Sequence, residues 1–255
     1  MHSSFSRVAV VTGGAKGIGA EVCRRLARRG DKVWIADLDL SQAQSLAEEL
    51  AQHGGRAKAI DMDVGKPESV ARAFAAIDAE DHRCDVLVNS AGIAKVFPFL
   101  DFPLANFVDT LNINVTGTLL CAQHAARLMV RHRWGRIVNI ASVAGLRAVG
   151  TGRTAYGTSK GAVVALTRQM AVELAEHGIT ANAVCPGPVD TPMTQALHTA
   201  QFREEYAKAI PMERYGTPQE IAAAVLYLAS EEATYTTGIA LPVDGGFLAS
   251  GARGL

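Results

Sequence analysis

Apolar, β-branched runs punctuate the chain at intervals of about 20 to 50 residues: RVAVVT (7–12), KVWIAD (32–37), RAKAID (56–61), DVLVNS (85–90), RIVNIAS (136–142), ITANAV (179–184) and IALPVD (239–244). Between them lie alanine-rich segments whose larger apolar residues recur at helical spacing, such as Ile18, Val22 and Leu26, or Val163, Leu166 and Met170. Strands alternating with helices call for a parallel sheet covered on both faces. Right-handed crossovers then make it doubly wound, so the expected fold is α/β, a Rossmann-type sheet of seven parallel strands. No linker, low-complexity tract or internal repeat breaks the pattern, and one domain over residues 1–255 is expected. The longest departure from alternation is 186–238, with PGPVDTPM, two helix-like stretches and ERYGTPQE. An excursion after a strand's carboxyl end sits over the ligand crevice, so this one is expected to be a substrate lid.

Composition narrows the function classes. With 255 residues and 49% hydrophobic content the chain can bury one substantial core, and 25 basic residues balance 25 acidic ones. No net field favours nucleic acid or membrane headgroups, so the expected partner is a small-molecule substrate. The basic run RRLARRG (24–30) reads as the solvated face of a helix. Cys23, Cys84, Cys121 and Cys185 are scattered without a C-x-x-C pair, which fits a reducing compartment and disfavours zinc. The first apolar run is five residues long and turns directly into glycines, unlike a signal peptide, and no run reaches about 18 apolar residues. A cytoplasmic location is expected. His124 and His132 stand eight apart and no H-x-x-x-H occurs, so no metal is expected.

VVTGGAKGIG (10–19) follows the first strand and opens the first helix, with Gly13, Gly17 and Gly19 spaced G-x-x-x-G-x-G. Glycines there permit a tight turn and let backbone N–H groups approach a pyrophosphate. The second strand ends in Asp37, 18 residues after Gly19, where a carboxylate can accept hydrogen bonds from an adenosine ribose and repel a 2′-phosphate. Lys16 could attract that phosphate, but Leu38 rather than an arginine follows Asp37, so NAD is expected over NADP.

TAYGTSK (154–160) places Tyr156 and Lys160 four apart, a pairing that this composition would produce by chance about 0.14 times. On a helix the two share a face, and an ammonium there is expected to lower the phenol's pKa from near 10. The phenol then becomes an acid/base for a secondary alcohol, with Ser142 as a hydroxyl donor to the same oxygen. By themselves, Asn114 reads equally as a helix-turn cap and Ser142 as a strand-end hydroxyl bonded to backbone.

Taken in order, the glycine loop, NSAG (89–92), NIASVAG (139–145), YGTSK (156–160) and PGPVDTPM (186–193) make the chain resemble the short-chain dehydrogenase/reductase family from about residue 7 to VDGG (243–246). The resemblance implies Tyr156 as general acid/base, Lys160 as its partner, Ser142 polarising the substrate oxygen and Asn114 holding a water in a proton relay. It places Gly13, Lys16, Gly17, Ile18 and Gly19 in the cofactor site, with Asp63 on the adenine and Val64 beside it. Asn89, Ala91 and Gly92 would line the cofactor floor, Thr191 would meet the nicotinamide amide, and Pro186, Gly187 and Val189 would shape that wall. It also implies a homotetramer, with helices at about 106–132 and 155–177 packing across one interface. Two departures stand out: Ser90 replaces a second asparagine, and 14 residues separate Ser142 from Tyr156.

The function expected is NAD-dependent interconversion of a secondary alcohol (polyol, sugar acid or cyclic alcohol) and its ketone. An NADP-dependent 3-oxoacyl thioester reductase of the same family is the alternative. Substrate loops are expected at 93–100, 143–155 and 193–212, with Val96, Phe97, Met193 and Leu197 as apolar walls and Arg147, Arg153 and His198 as polar contacts. Two rival classes were weighed. GTSKG (157–161) matches the serine-hydrolase elbow around Ser159, but no strand precedes it and no histidine lies beyond His198. A non-catalytic NAD-binding sensor would have no need of Tyr156, Lys160 and Ser142 together.

Overall fold

The computed structural model describes residues 7–250. Seven parallel strands, β1 (Val8–Thr12), β2 (Lys32–Asp37), β3 (Arg56–Asp61), β4 (Val86–Asn89), β5 (Gly135–Ile140), β6 (Ile179–Pro186) and β7 (Ala240–Val243), form one sheet in the order β3-β2-β1-β4-β5-β6-β7. Each of the seven apolar runs becomes a strand. A parallel strand buried on both faces is largely apolar, and β1 and β4 are buried throughout, with polar Thr12 and Asn89 at their carboxyl ends.

Alternate residues feed two cores. Ala9 and Val11 of β1 pack with α1 (Gly17–Arg28), α2 (Leu40–Gln52) and α9 (Pro218–Leu228), through Leu26, Leu46 and Val225 among others. Val8 and Val10 face the opposite layer of α3 (Pro67–Asp81), α5 (Gly117–Val130) and α6 (Thr154–Leu174), through Phe74, Met129 and Met170. The basic run lies on the outer side of α1, where Arg24 pairs with Glu49 and Arg29 with Asp31. Cys23, Cys84, Cys121 and Cys185 are free and buried. Among the described residues no helix is long and apolar enough to cross a membrane.

The strand order reverses between β1 and β4, which opens a crevice at their carboxyl ends. Register brings Thr12, Asn89 and Asn139 side by side there. A helix interrupted by a π turn at Asn112–Thr116 runs past this point, joining α4 (Leu104–Leu111) to α5.

The excursion after β6 divides in two, which corrects the expected lid of 186–238. α7 (Pro192–Leu197) and α8 (Ala200–Lys208) have no buried residue except at their edges and lie over the crevice. α9, started by a capping box between Thr217 and Glu220, instead buries Ile221, Ala222, Val225 and Leu228 in the core beside α1. Its apolar spacing is that of a core helix, so only the segment before it can act as a cover.

The glycine loop is held by steric exclusion. A Cβ on Gly19 would sit 2.1 Å from the Gly13 carbonyl oxygen, so the first turn of α1 can approach the loop only without a side chain. Gly19→Ala is expected to cost about 1–3 kcal/mol through overpacking. Thermal unfolding should then shift down by roughly 4–10 °C, and an unchanged midpoint would show that the loop yields without strain.

Candidate functional site

The crevice is a groove of about 450 Å³. Its walls include Gly13, Lys16, Gly17 and Ile18 of the loop, Asp37 at the end of β2, and Asp63 and Val64 after β3. Ala91 and Gly92 after β4, Ser142 after β5, Tyr156 and Lys160 on α6, and Pro186, Gly187, Val189 and Thr191 after β6 complete it. With Ile113 of the π turn, which also lines it, eight separate segments of the sequence converge on one volume.

One end of the groove combines open backbone N–H donors with carboxylates. No side chain caps α1, so its first-turn N–H groups remain open to an anion. Gly17 has φ +56°, a left-handed conformation that favours glycine, while a Cβ there would only touch the Thr191 side chain at 3.6 Å. Asp37 accepts from Ala15 N at 2.9 Å and from Asp39 N at 3.0 Å, which locks the glycine loop to the end of β2. Lys16 does not stand alone in the groove: its ammonium lies 2.9 Å from the carboxylate of Asp39, the N-cap of α2. Lys16 and the Ser41 hydroxyl hold the Asp39 carboxyl down at about 2. Asp63 is engaged by Gly65 N at 3.0 Å and by Lys66 at 3.2 Å.

Three of the expected site residues support the groove without lining it. Gly19 packs on Gly13. Asn89 donates from Nδ2 to Asn139 Oδ1 at 2.9 Å, and Asn139 donates onward to Thr167 of α6 at 2.9 Å. Asn114, in the π turn, accepts from Ile93 N at 2.9 Å and donates to Ile93 O at 3.0 Å and to Ser159 Oγ at 2.9 Å. Both of its amide protons are used by these bonds, and the second lone pair of Oδ1 is left to accept from a further donor. Ser159 is fully buried and donates its one proton to the Tyr156 carbonyl, which leaves no free nucleophile for the hydrolase reading. Ser90 takes part through its backbone N–H, which donates to Thr12. Thr191 is committed to capping α7 in a capping box with Thr194.

At the deep end of the groove Tyr156 and Lys160 share a face of α6, with the lysine Nζ 5.7 Å from the centre of the tyrosine ring. The electrostatic expectation for this pair needs correction. Lys160 donates to Ile140 O at 2.7 Å, and burial lowers its ammonium to about 8. Burial also raises the Tyr156 phenol above its ordinary 10, opposed first by the Ser142 hydroxyl and then by the charge of Arg153. The residues that ease the phenol's ionisation are therefore Ser142 and Arg153, because β5's carbonyl end draws the lysine toward the sheet.

Beyond Tyr156 the groove meets a second cavity of about 400 Å³ that holds Ser142, Tyr156, Arg153, Met193, Leu197 and His198. Phe202, Tyr206 and Phe247 also line it; no motif marked them, since their places depend on how α8 and the last turn fold back. Val96, Phe97 and Arg147 line a different cavity of about 980 Å³, which shares Ala144, Val149, Gly150 and Arg153 with the second one.

The family model described as enoyl-(acyl carrier protein) reductase matches residues 13–248. The chain is 39% identical over 241 residues to the 3-oxoacyl-[acyl-carrier-protein] reductase FabG of Aquifex aeolicus, covering 94% of this chain and 96% of that one. The chain belongs to the short-chain dehydrogenase/reductase family. It is also 41% identical to 2-(R)-hydroxypropyl-CoM dehydrogenase of Xanthobacter autotrophicus, covering 96% of this chain and all of the other. The solved structure of a Beutenbergia cavernae protein with NADP bound at low occupancy has a TM-score of 0.92 at 36% identity, covering 97% of this chain and 99% of that one. As a short-chain dehydrogenase/reductase the protein is an NAD(P)-dependent oxidoreductase acting on CH–OH donors.

The buried lysine carries a pH signature. A lysine whose folded pKa falls from 10.5 to about 8 is penalised while charged, and folding is relieved of that cost as pH rises from about 8 toward 10.5. Lys160→Met removes the titration, so its stability relative to wild type should fall by roughly 2–3 kcal/mol between pH 7 and 10. Parallel denaturant curves at the two pH values would contradict the assignment if the difference stayed constant.

Proposed function

We propose that the enzyme interconverts a secondary alcohol and its ketone with NAD, Tyr156 passing the proton to or from the substrate oxygen. The observation that carries this reading is the meeting of the two cavities at Ser142 and Tyr156, the residues common to both walls apart from Gly187, Met193 and Thr194. A substrate in the second cavity then presents its oxygen to both hydroxyls. Before substrate binds, the Ser142 hydroxyl donates to Tyr156 and eases its ionisation; with substrate in place the same single proton donates to the substrate oxygen instead. Lys160, with a pKa of about 8, can exchange its own proton near neutral pH while anchored on Ile140 O. The nicotinamide cofactor, when bound, supplies or accepts the hydride. Asn114 keeps the Ile93 backbone and Ser159 in register with α6, and so positions Tyr156 indirectly.

NAD is favoured by charge at the adenosine end of the groove. Asp37 and Asp39 bring two carboxylates, and Lys16, which lines the groove beside them, is already paired with Asp39. A 2′-phosphate would face Asp37 with no unpaired cation beside it among the described residues. The kinship with FabG sustains a second reading, an NADP-dependent 3-oxoacyl thioester reductase, and the cofactor separates the two. Exposed Leu104, Val108 and Val172 on α4 and α6 suit the burial that a homotetramer would provide.

A panel of secondary alcohols and ketones followed at 340 nm in both directions tests the activity. Tyr156→Phe is expected to lower kcat by about 10²–10⁴-fold with cofactor binding nearly intact; retention of more than about a tenth of kcat would mean that another group moves the proton. For the cofactor, kcat/KM with NAD should exceed that with NADP by at least about tenfold, and the reverse order would favour the thioester reductase.

A further inference from the structure

Resting on the oxidoreductase reading, the second cavity holds a clue to substrate class. Its walls are largely apolar, with Val143, Leu197, Phe202 and Phe247, and two charged side chains line it, Arg153 and Glu205. Glu205 is engaged by Lys208 at 2.9 Å. Among the described residues no carboxylate lies within ion-pair distance of Arg153. Its Nη2 meets Nε2 of His198 at 2.7 Å, and His198 Nδ1 lies 3.0 Å from the Tyr215 hydroxyl. Asp190, the acidic group of this cluster, is taken by Arg203, which bonds it at 3.0 Å and stacks on Tyr215 at 4.4 Å.

A guanidinium can only donate, so His198 Nε2 accepts and the ring proton sits on Nδ1, where it donates to Tyr215. The imidazole is therefore neutral. Its surroundings keep it so, since burial, then Arg153 and Arg203, lower its pKa to about 4. The arrangement has a specific consequence. An aspartate or glutamate in the place of His198 would orient Arg153 equally well and cancel its charge, whereas a neutral acceptor orients the guanidinium and leaves the charge in force. A cation in an apolar cavity is costly without a counter-ion, and the planar fork matches a carboxylate.

We propose that Arg153, set in place by neutral His198, binds a carboxylate on the substrate, which is a hydroxy acid or oxo acid presenting its carbinol or carbonyl to Ser142 and Tyr156. Arg153 is a specificity-determining residue and His198 a positioning residue.

Calorimetric titration of the protein in excess NAD with short-chain hydroxycarboxylates and the corresponding primary amides tests the proposal without requiring turnover. At least one carboxylate should bind about tenfold or more tightly than its amide, and Arg153→Gln should bring the two within about threefold. His198→Gln, which retains an acceptor for Arg153, should preserve the preference. His198→Glu, which supplies a counter-charge, should abolish it. The proposal is overturned if no carboxylate binds better than its amide, or if Arg153→Gln weakens both alike. Arg153-dependent carboxylate binding with no absorbance change across the alcohol panel would instead sink the oxidoreductase assignment of the substrate and leave the anion site standing.

Discussion

Everything in the site depends on how α6 is fastened to the sheet. Apolar packing alone would let a helix slide or rotate by fractions of a turn on a bed of valines and alanines, and Tyr156 would move with it. Buried polar groups do not allow that freedom, because each must keep its partner or bear the cost of desolvation. A chain of side-chain bonds runs from Asn89 through Asn139 to Thr167, Lys160 is pinned to Ile140 O, and Ser159 is gripped by Asn114. Two strands, β4 and β5, and the π turn thereby hold one helix at three points along its length.

Those same bonds explain what could and could not be read from the sequence. The strands were legible because short, largely apolar β-branched runs alternate with helical spacing, even though β3 is partly exposed and β4, β5 and β6 carry buried Asn89, Asn139 and Asn182. The glycine loop was legible because Gly19 admits no Cβ, and the Tyr156–Lys160 pairing because helical spacing alone puts the two together. The direction of Lys160 was not, since the carbonyl that claims it comes from β5, 20 residues away. Nor was the engagement of the Asn114 side chain, whose partners lie 21 and 45 residues along the chain. α9 had the correct signal in Ile221, Val225 and Leu228, but the prolines and glycines around it disguised a core helix as part of a cover.

Charge is managed by pairing at one end of the groove and by its avoidance at the other. Near Asp37 the cation inside the loop is matched to Asp39, so the local balance is negative. Near Arg153 the acceptor is an uncharged ring, so the local balance is positive. The field thus changes sign from the adenosine end of the site to the substrate end. Tyr156, whose ionisation Arg153 eases, stands on the positive side.

The π turn at Asn112–Thr116 is, in register terms, one residue more than an α-helix would use, with Gly117 N reaching back five residues to Asn112 O. Each residue of an α-helix turns the chain by about 100°. Removing a single residue between α4 and α5 would restore a regular helix, and would swing every side chain of α4 by that angle relative to α5. Val64 under Gly117 and Ile93 beside Asn114 would then face the wrong partners. The segment is consequently one whose length is as tightly constrained as its composition: substitutions on its outer side are a matter of surface, while a one-residue insertion or deletion rewrites the floor of the site.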